Sequence, residues 1–306
     1  MSRVLLTGAG GFVGRHTLAA LMGAGHEVHA VARRPRPDAS GATWHEADLL
    51  AGAQVVRDVQ PEALLHLAWY AEPGKFWTSA QNAGWRDASL ALLQTFVAAG
   101  GKRAVLTGSC AEYEWSRTVY GEDAPCRPAT PYGEAKHELR LAASALAEQA
   151  GISLAWARLF FLYGPGEDPR RFVPAIARAL LVGETAAMTA GAQVRDFTHI
   201  ADVGAALTAL ADSAVTGPVN VASGEGVTLR ALAGKIAAAA RGGGQLDIGG
   251  LPDRPDEPAS LVADVCRLRD EVGFTPKMTL EEGVERTVEW WRQRLASETL
   301  VSVDAS

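Results

Sequence analysis

The chain has 306 residues, 48% of them apolar and 21% charged, with a net charge of −6. That is ordinary globular composition, long enough for one large domain or two small ones. The negative balance without a basic tract argues against nucleic acid as a partner. No apolar run reaches the roughly 18 residues of a membrane span, and Cys110, Cys126 and Cys266, at no metal-ligand spacing, predict reduced thiols in a cytoplasmic protein.

The first strand reads as Val4 to Thr7, so close to the start that no secretory leader is expected. Glycines follow at 8, 11 and 14, and a helix begins near Phe12 and Val13. Gly8 permits a tight turn off the strand, Gly11 lets backbone approach a pyrophosphate, and Gly14 lets the helix pack closely. The helix start then offers free N–H groups to phosphates. After Met22, Glu27 to Ala32 reads as a second strand followed by Arg33 and Arg34. Thr43 to Glu46 reads as a third, with Asp48 beyond it. Ala51 to Val59 is helical. Ala63 to Leu67 is an apolar strand, and 70–85 is irregular and rich in Trp and Gly. A helix over 86–99 leads to a strand over 104–107. This alternation predicts an α/β fold, a doubly wound parallel sheet with its ligand crevice at the carboxyl ends of the strands.

Pro131 to Ala150 reads as a helix with Pro in its first turn, and Ser153 to Leu159 as a strand. From about Gly164 the alternation loosens. The chain is expected to divide into 1–163, a dinucleotide-binding domain rejoined by about 195–215, and 164–306, mainly a smaller α/β substrate-binding domain. Helices are expected near 171–182, 201–212, 228–240 and 280–295, the last announced by a Thr279–Glu282 capping box. Val301 to Ser306 reads as a frayed tail.

Tyr132 and Lys136 stand four apart, on one helical face. An ammonium beside a phenol favours the phenolate, and such a tyrosine exchanges a proton with a substrate oxygen. Ser109, just past a strand, is placed to hydrogen-bond the same oxygen. His66 and His199 have no second ligand at useful spacing, so structural histidines and no metal are expected.

Taken in order, these pieces resemble the extended short-chain dehydrogenases/reductases, of the nucleotide-sugar epimerase/dehydratase kind. The matching residues are Thr7 to Gly14, Ala47-Asp48-Leu49, His66-Leu67-Ala68, Ser109 four before Tyr113, and Pro131-Tyr132-Gly133-Glu134-Ala135-Lys136. They continue with Ala157-Arg158-Leu159, Leu162 to Gly166, Arg195 to Val203, and Asn220 to Gly224. The resemblance implies a Rossmann-type cofactor domain with Gly8, Gly11, Phe12, Val13, Gly14, Leu67 and Ala68 around the dinucleotide. Asp48 and Leu49 would face the adenine. Tyr132 would be the general acid/base, Lys136 would hold the nicotinamide ribose, and Ser109 would polarise the carbonyl. Arg195 and Arg254 would read the diphosphate of a nucleotide-sugar substrate. A homodimer through the helix of Tyr132 is implied as well.

Departures narrow the expected function. Dehydratases of this kind carry Asp-Glu directly after the Ser/Thr; here stand Cys110 and Ala111, with Glu112 and Glu114 off register. Phe161 replaces a usual Asn, and Trp69, Trp77 and Trp85 make the pocket atypical; they suit apolar pocket walls and core or domain-interface packing equally. No carboxylate ends strand two, where Arg33 and Arg34 suit a 2′-phosphate, so NADP is expected over NAD. The expectation is an NADPH-dependent reductase of a nucleotide-linked 4-keto-6-deoxy sugar. The alternatives are a C4 epimerase with tightly bound NAD and a non-catalytic dinucleotide sensor.

Overall fold

Val4, Leu5 and Leu6 are buried, and alternate residues of a strand point to opposite faces. Val4 and Leu6 enter one apolar cluster and Leu5 the other. The same split recurs at Leu64 against Leu65, Val105 against Leu106, and Ala155 against Trp156. A sheet so divided is covered on both sides, which is why its strands read as continuous apolar runs.

The computed structural model describes residues 1–35, 41–253 and 257–304. In chain order the elements begin β1 Arg3–Thr7, α1 Phe12–Gly23, β2 Glu27–Ala32, β3 Thr43–Glu46, α2 Gln54–Val59, β4 Ala63–His66, α3 Gln81–Ala98, β5 Arg103–Ser109 and β6 Val119–Tyr120. They continue α4 Pro131–Ala150, β7 Ser153–Leu159, β8 Phe161–Tyr163, α5 Phe172–Leu181, β9 Ala186–Met188, β10 Val194–His199 and α6 Ile200–Asp212. The last are β11 Gly217–Val221, β12 Gly226–Thr228, α7 Leu229–Ala240, β13 Leu246–Ile248, β14 Ser260–Ala263 and α8 Leu280–Asp304.

The main sheet has seven strands in the order β11-β7-β5-β4-β1-β2-β3, and every ladder in it is parallel. One face carries Leu18 and Leu21 of α1 with Val203 and Leu207 of α6. The other carries residues of α2, α3 and α4, including Val56, Leu93 and Leu139. This is the doubly wound sheet expected from the sequence. A second sheet, β12-β10-β14-β6 with β8 on β10, stands apart from it. A third apolar cluster joins α5, α7 and α8 around Ile176, Leu232 and Val288.

Helix α4 starts where the sequence puts it: Thr130 accepts from the Gly133 N–H at 3.1 Å and Pro131 follows. The Thr279–Glu282 capping box forms as expected. Three spans differ. Helix α3 begins at Gln81, not 86, because buried Asn82 ties back the Trp- and Gly-rich stretch before it. Its amide donates to Phe76 O at 2.7 Å and accepts from the Trp69 indole at 2.9 Å. Strand β5 extends to Ser109, paired through its end with β7. Helix α8 continues to Asp304, through part of the tail expected to fray.

Candidate active site

At the head of β1 the chain turns at Gly8, where φ is +72° and a side chain would meet the Ala68 backbone nitrogen at 2.8 Å. The Gly11 N–H closes the turn on Gly8 O at 2.9 Å. A Cβ on Gly14 would overlap the Gly8 carbonyl and come within 2.7 Å of Ala9 Cα. The glycine at 14 therefore seats α1 against the turn itself. No side chain caps the start of α1 at Gly11, which leaves its first N–H groups facing outward. A cradle that any side chain would fill, ending in a free helix start, fits a dinucleotide pyrophosphate. Phe12 and Val13 are half-buried in its first turn.

Thr7 ties this cradle to the end of β4. Its hydroxyl accepts from the Leu67 and Ala68 N–H groups and bonds His66 Nδ1 at 2.7 Å. His66 Nε2 meets Ser89 Oγ at 2.7 Å, and burial pushes its pKa down to about 3. His66 is thus a neutral structural tether. Arg33 and Arg34 are exposed past β2, with no hydrogen bond or ion pair among the described residues. Asp48 is exposed and accepts from the Leu50 N–H at 3.1 Å. Leu49 is buried with Val31, Val55 and Val56.

The reacting end forms where β5 meets α4. Ser109 opens a short turn over Cys110–Glu112, accepting from Ala111 N at 3.2 Å, while its own N–H donates to Glu112 Oε1 at 2.8 Å. Glu112 is fully buried and also accepts from the Trp156 indole and from Arg158 Nε at 3.1 Å. It is locked in this network and is not free for proton chemistry. Cys110 packs with Tyr113, Tyr120 and Phe160, and burial pushes its thiol up to about 12.

Burial also pushes the Tyr132 phenol above its ordinary value, and the nearby Ser109 side chain opposes that shift. Arg171 opposes it from further off. Lys136 is 3% exposed, donates to Thr107 O at 2.8 Å and lies 3.7 Å over the Trp69 ring. Burial lowers its pKa to about 7. The Lys136 amine donates to the Thr107 carbonyl of β5, and burial holds both it and the Tyr132 phenol towards their neutral forms.

The aromatic stretch divides. Trp85 enters the core, whereas Phe76, Trp77 and Trp69 pack edge-on to the Tyr132 ring, with centroids at 4.9, 5.6 and 6.4 Å. Arg171 caps this wall, its guanidinium 5.1 Å from the Phe76 ring centre. Sequence reasoning left these tryptophans open and passed over Phe76 and Arg171; the aromatic density of 69–85 was the available signal.

Arg195 is buried at the foot of β10. It donates to Val194 O at 2.9 Å, lies over the Phe161 ring at 5.4 Å and meets Glu257 at 3.7 Å. Cys110 is among its electrostatic neighbours, which puts its charge near Ser109. Arg254 lies outside the described residues. His199 starts α6 and accepts from the Ala201 N–H at 3.3 Å, with burial lowering its pKa to about 4. Among the described residues no cluster of three His, Cys, Asp or Glu could hold a metal ion. Nor is any helix there long and apolar enough to cross a membrane.

The glycine cradle on a parallel sheet, with Ser109 at the end of β5 and Tyr132 and Lys136 in the first turns of α4, defines a dinucleotide-binding α/β enzyme. The chain belongs to the NAD dependent epimerase/dehydratase family, whose sequence model matches residues 4–222. It is 26% identical over 309 residues to UDP-glucuronic acid decarboxylase 1 of Xenopus tropicalis, covering 96% of this chain and 73% of that one. It is 30% identical over 239 residues to dTDP-6-deoxy-L-talose 4-dehydrogenase (NAD(+)) of Aggregatibacter actinomycetemcomitans, covering 74% and 86%. Among solved structures it is similar to MoeE5, solved with UDP-glucuronic acid and NAD, at 31% identity and TM-score 0.81 over 95% of this chain and 99% of that one.

Proposed function

We propose that this protein is an NADPH-dependent reductase of a nucleotide-linked 4-keto-6-deoxy sugar. The observation that carries the reading is the wall beside Ser109. Cys110 is a packed thiol, Ala111 has no functional group, and Glu112 is locked among Ser109, Trp156 and Arg158. Among the described residues no free carboxylate follows Ser109 in its turn to move a proton in water loss, whereas the Ser109 side chain acts on the Tyr132 phenol.

The glycine cradle and α1 would hold the cofactor pyrophosphate, and Arg33 and Arg34 would pair with a 2′-phosphate. NADPH, when bound, supplies the hydride to C4. Ser109 would hydrogen-bond the ketone oxygen, Tyr132 would give it a proton, and Lys136 would hold the ribose. Phe76, Trp77 and Trp69 shield the sugar from water with an apolar wall that suits a C6 methyl group. Arg195 reads the diphosphate, with Glu257 as its resting counter-ion. We take the protein to act as a cytoplasmic homodimer.

The second reading is a C4 epimerase, favoured by the similarity to MoeE5, which has also been solved with UDP-glucose and NAD. One experiment separates the two. UDP- and dTDP-linked 4-keto-6-deoxyglucose are incubated with deuterated NADPH. One equivalent is expected to be consumed, with the label at C4. If the keto sugars are left unreduced, and UDP-glucose is interconverted with its C4 epimer without NADPH, the reductase reading fails.

A further inference from the structure

The loop after β8 runs from α1 to the aromatic wall beside Tyr132. His16 of α1 bonds Pro165 O at 3.2 Å, and a side chain on Gly166 would strike the Arg15 guanidinium at 2.5 Å. Gly164 packs on Ile200 and His199 at the head of α6. The loop ends at Arg171, whose guanidinium covers Phe76 and whose charge acts on the Tyr132 phenol. Between these anchors sits Glu167, 8% exposed. Its Oε2 is buried and has no hydrogen-bond partner among the described residues. A buried carboxyl oxygen left without a partner is costly, and such groups persist where a ligand or an ordered water completes them.

We propose that Glu167 is a specificity-determining residue of the sugar pocket, a carboxyl that hydrogen-bonds a hydroxyl of the bound nucleotide-linked hexose. The inference rests on the nucleotide-sugar reading and adds a polar pole to a pocket otherwise walled by aromatic rings. Burial pushes the Glu167 carboxyl up to about 8, with Arg171 opposing and Asp168 reinforcing the shift. Near neutral pH it is therefore an acid that both donates and accepts. Other groups on the elements packed against the loop are Arg15 and His16 of α1, His199, and Glu285, Arg286 and Glu289 of α8, which line a surface hollow with Pro165. His16 and His199 are both held below the ordinary histidine value by burial, so they stay neutral where Glu167 titrates.

The test compares the intact protein with Glu167→Gln and Glu167→Leu. Affinities for UDP-glucose, dTDP-glucose, UDP and dTDP are measured by calorimetry at about pH 6 and about pH 9.5, either side of the shifted titration. Gln keeps a neutral donor and acceptor. It is expected to match wild type at the lower pH and hold its affinity for the sugar nucleotides at the higher one, where wild type weakens several-fold. Leu is expected to weaken the sugar nucleotides at both pH values, while all three proteins bind the bare diphosphates alike. The proposal is overturned if Gln and wild type share one pH profile, or if Leu weakens the bare diphosphates equally. If wild type binds none of the four at either pH, the nucleotide-sugar reading itself has failed. Melting temperatures check the fold. That of Gln is expected to gain on wild type as pH rises from about 4.5 to about 8, since ionising a buried carboxyl is disfavoured only in the folded chain.

Discussion

Replacing Tyr132 by Phe removes one oxygen and keeps the ring. The contacts that hold that ring, to Phe76 at 4.9 Å, Trp77 at 5.6 Å and Trp69 at 6.4 Å, are made by carbon and survive. The change removes the hydroxyl and leaves this packing in place, so the variant is expected to stay folded. The glycine cradle is untouched, so cofactor affinity is expected within about twofold of wild type, less than 0.5 kcal/mol. Chemistry is another matter. With Cys110 held as a thiol up to about 12 and Glu112 locked, neither residue of the turn after Ser109 is placed to replace the phenol as proton donor. Turnover is expected to fall at least about a hundredfold, about 2.7 kcal/mol of transition-state stabilisation. The assay follows NADPH absorbance with a nucleotide-linked 4-keto-6-deoxyhexose in single-turnover mode, beside a fluorescence titration of NADPH. Turnover within a few-fold of wild type, with the titration unchanged, would refute the assignment of the proton to Tyr132.

Gly14→Ala drives a methyl group into the Gly8 carbonyl and the Ala9 backbone, neither of which can rotate away. A loss of roughly 1–3 kcal/mol in denaturant unfolding is expected, with cofactor binding abolished; unchanged binding would mean that the cradle is not where the pyrophosphate sits. Arg33→Ala is expected to weaken NADPH about tenfold while sparing NADH, the scale of one charge-assisted contact, as read by parallel titrations; equal weakening would remove Arg33 from the 2′-phosphate. Lys136→Met tests the lysine. Its folded pKa of about 7 lies below the ordinary 10.5, so wild type is expected to gain stability as pH rises from about 7 towards 10.5, and the Met variant not. Melting curves with parallel pH slopes would show that Lys136 titrates normally.

What could be read ahead of the structure was local. The glycine run, the limits of β2 and β3, and the start of α4 depend on neighbours within a few residues: alternating apolar side chains, a Thr130 cap, a Pro at the first turn. What could not be read depends on partners far along the chain. Glu112 looked like a carboxylate merely out of register. It is a buried strut because Trp156 and Arg158 meet it from 44 and 46 residues away. Lys136 and Tyr132 share a helical face as their spacing requires, but the spacing could not show Thr107 O within reach of the ammonium. The tryptophans looked alike in sequence. Asn82, which bonds Trp69 and the Phe76 backbone, gathers Trp69, Phe76 and Trp77 against Tyr132, while Trp85 falls into the core.

The titration states of the site bear on the direction of the reaction. Removal from water is the largest influence on both Tyr132 and Lys136, and it favours the neutral form of each. The resting pair is therefore a phenol with its proton in place beside an amine near its midpoint at neutral pH, not a phenolate beside an ammonium. Reduction of a ketone begins with that phenol, because the developing alkoxide needs a proton at once. Oxidation of a sugar alcohol, the opening step of an epimerase, needs the phenolate, which burial opposes here and which the Cys110 and Glu112 neighbours oppose further. Arg171 and the Ser109 hydroxyl work the other way, without outweighing burial. Alcohol oxidation would start from the phenolate, which a positive charge beside Tyr132, such as that of an oxidised nicotinamide, would favour. The protonated phenol against an aromatic wall is the state from which the proposed ketone reduction would start.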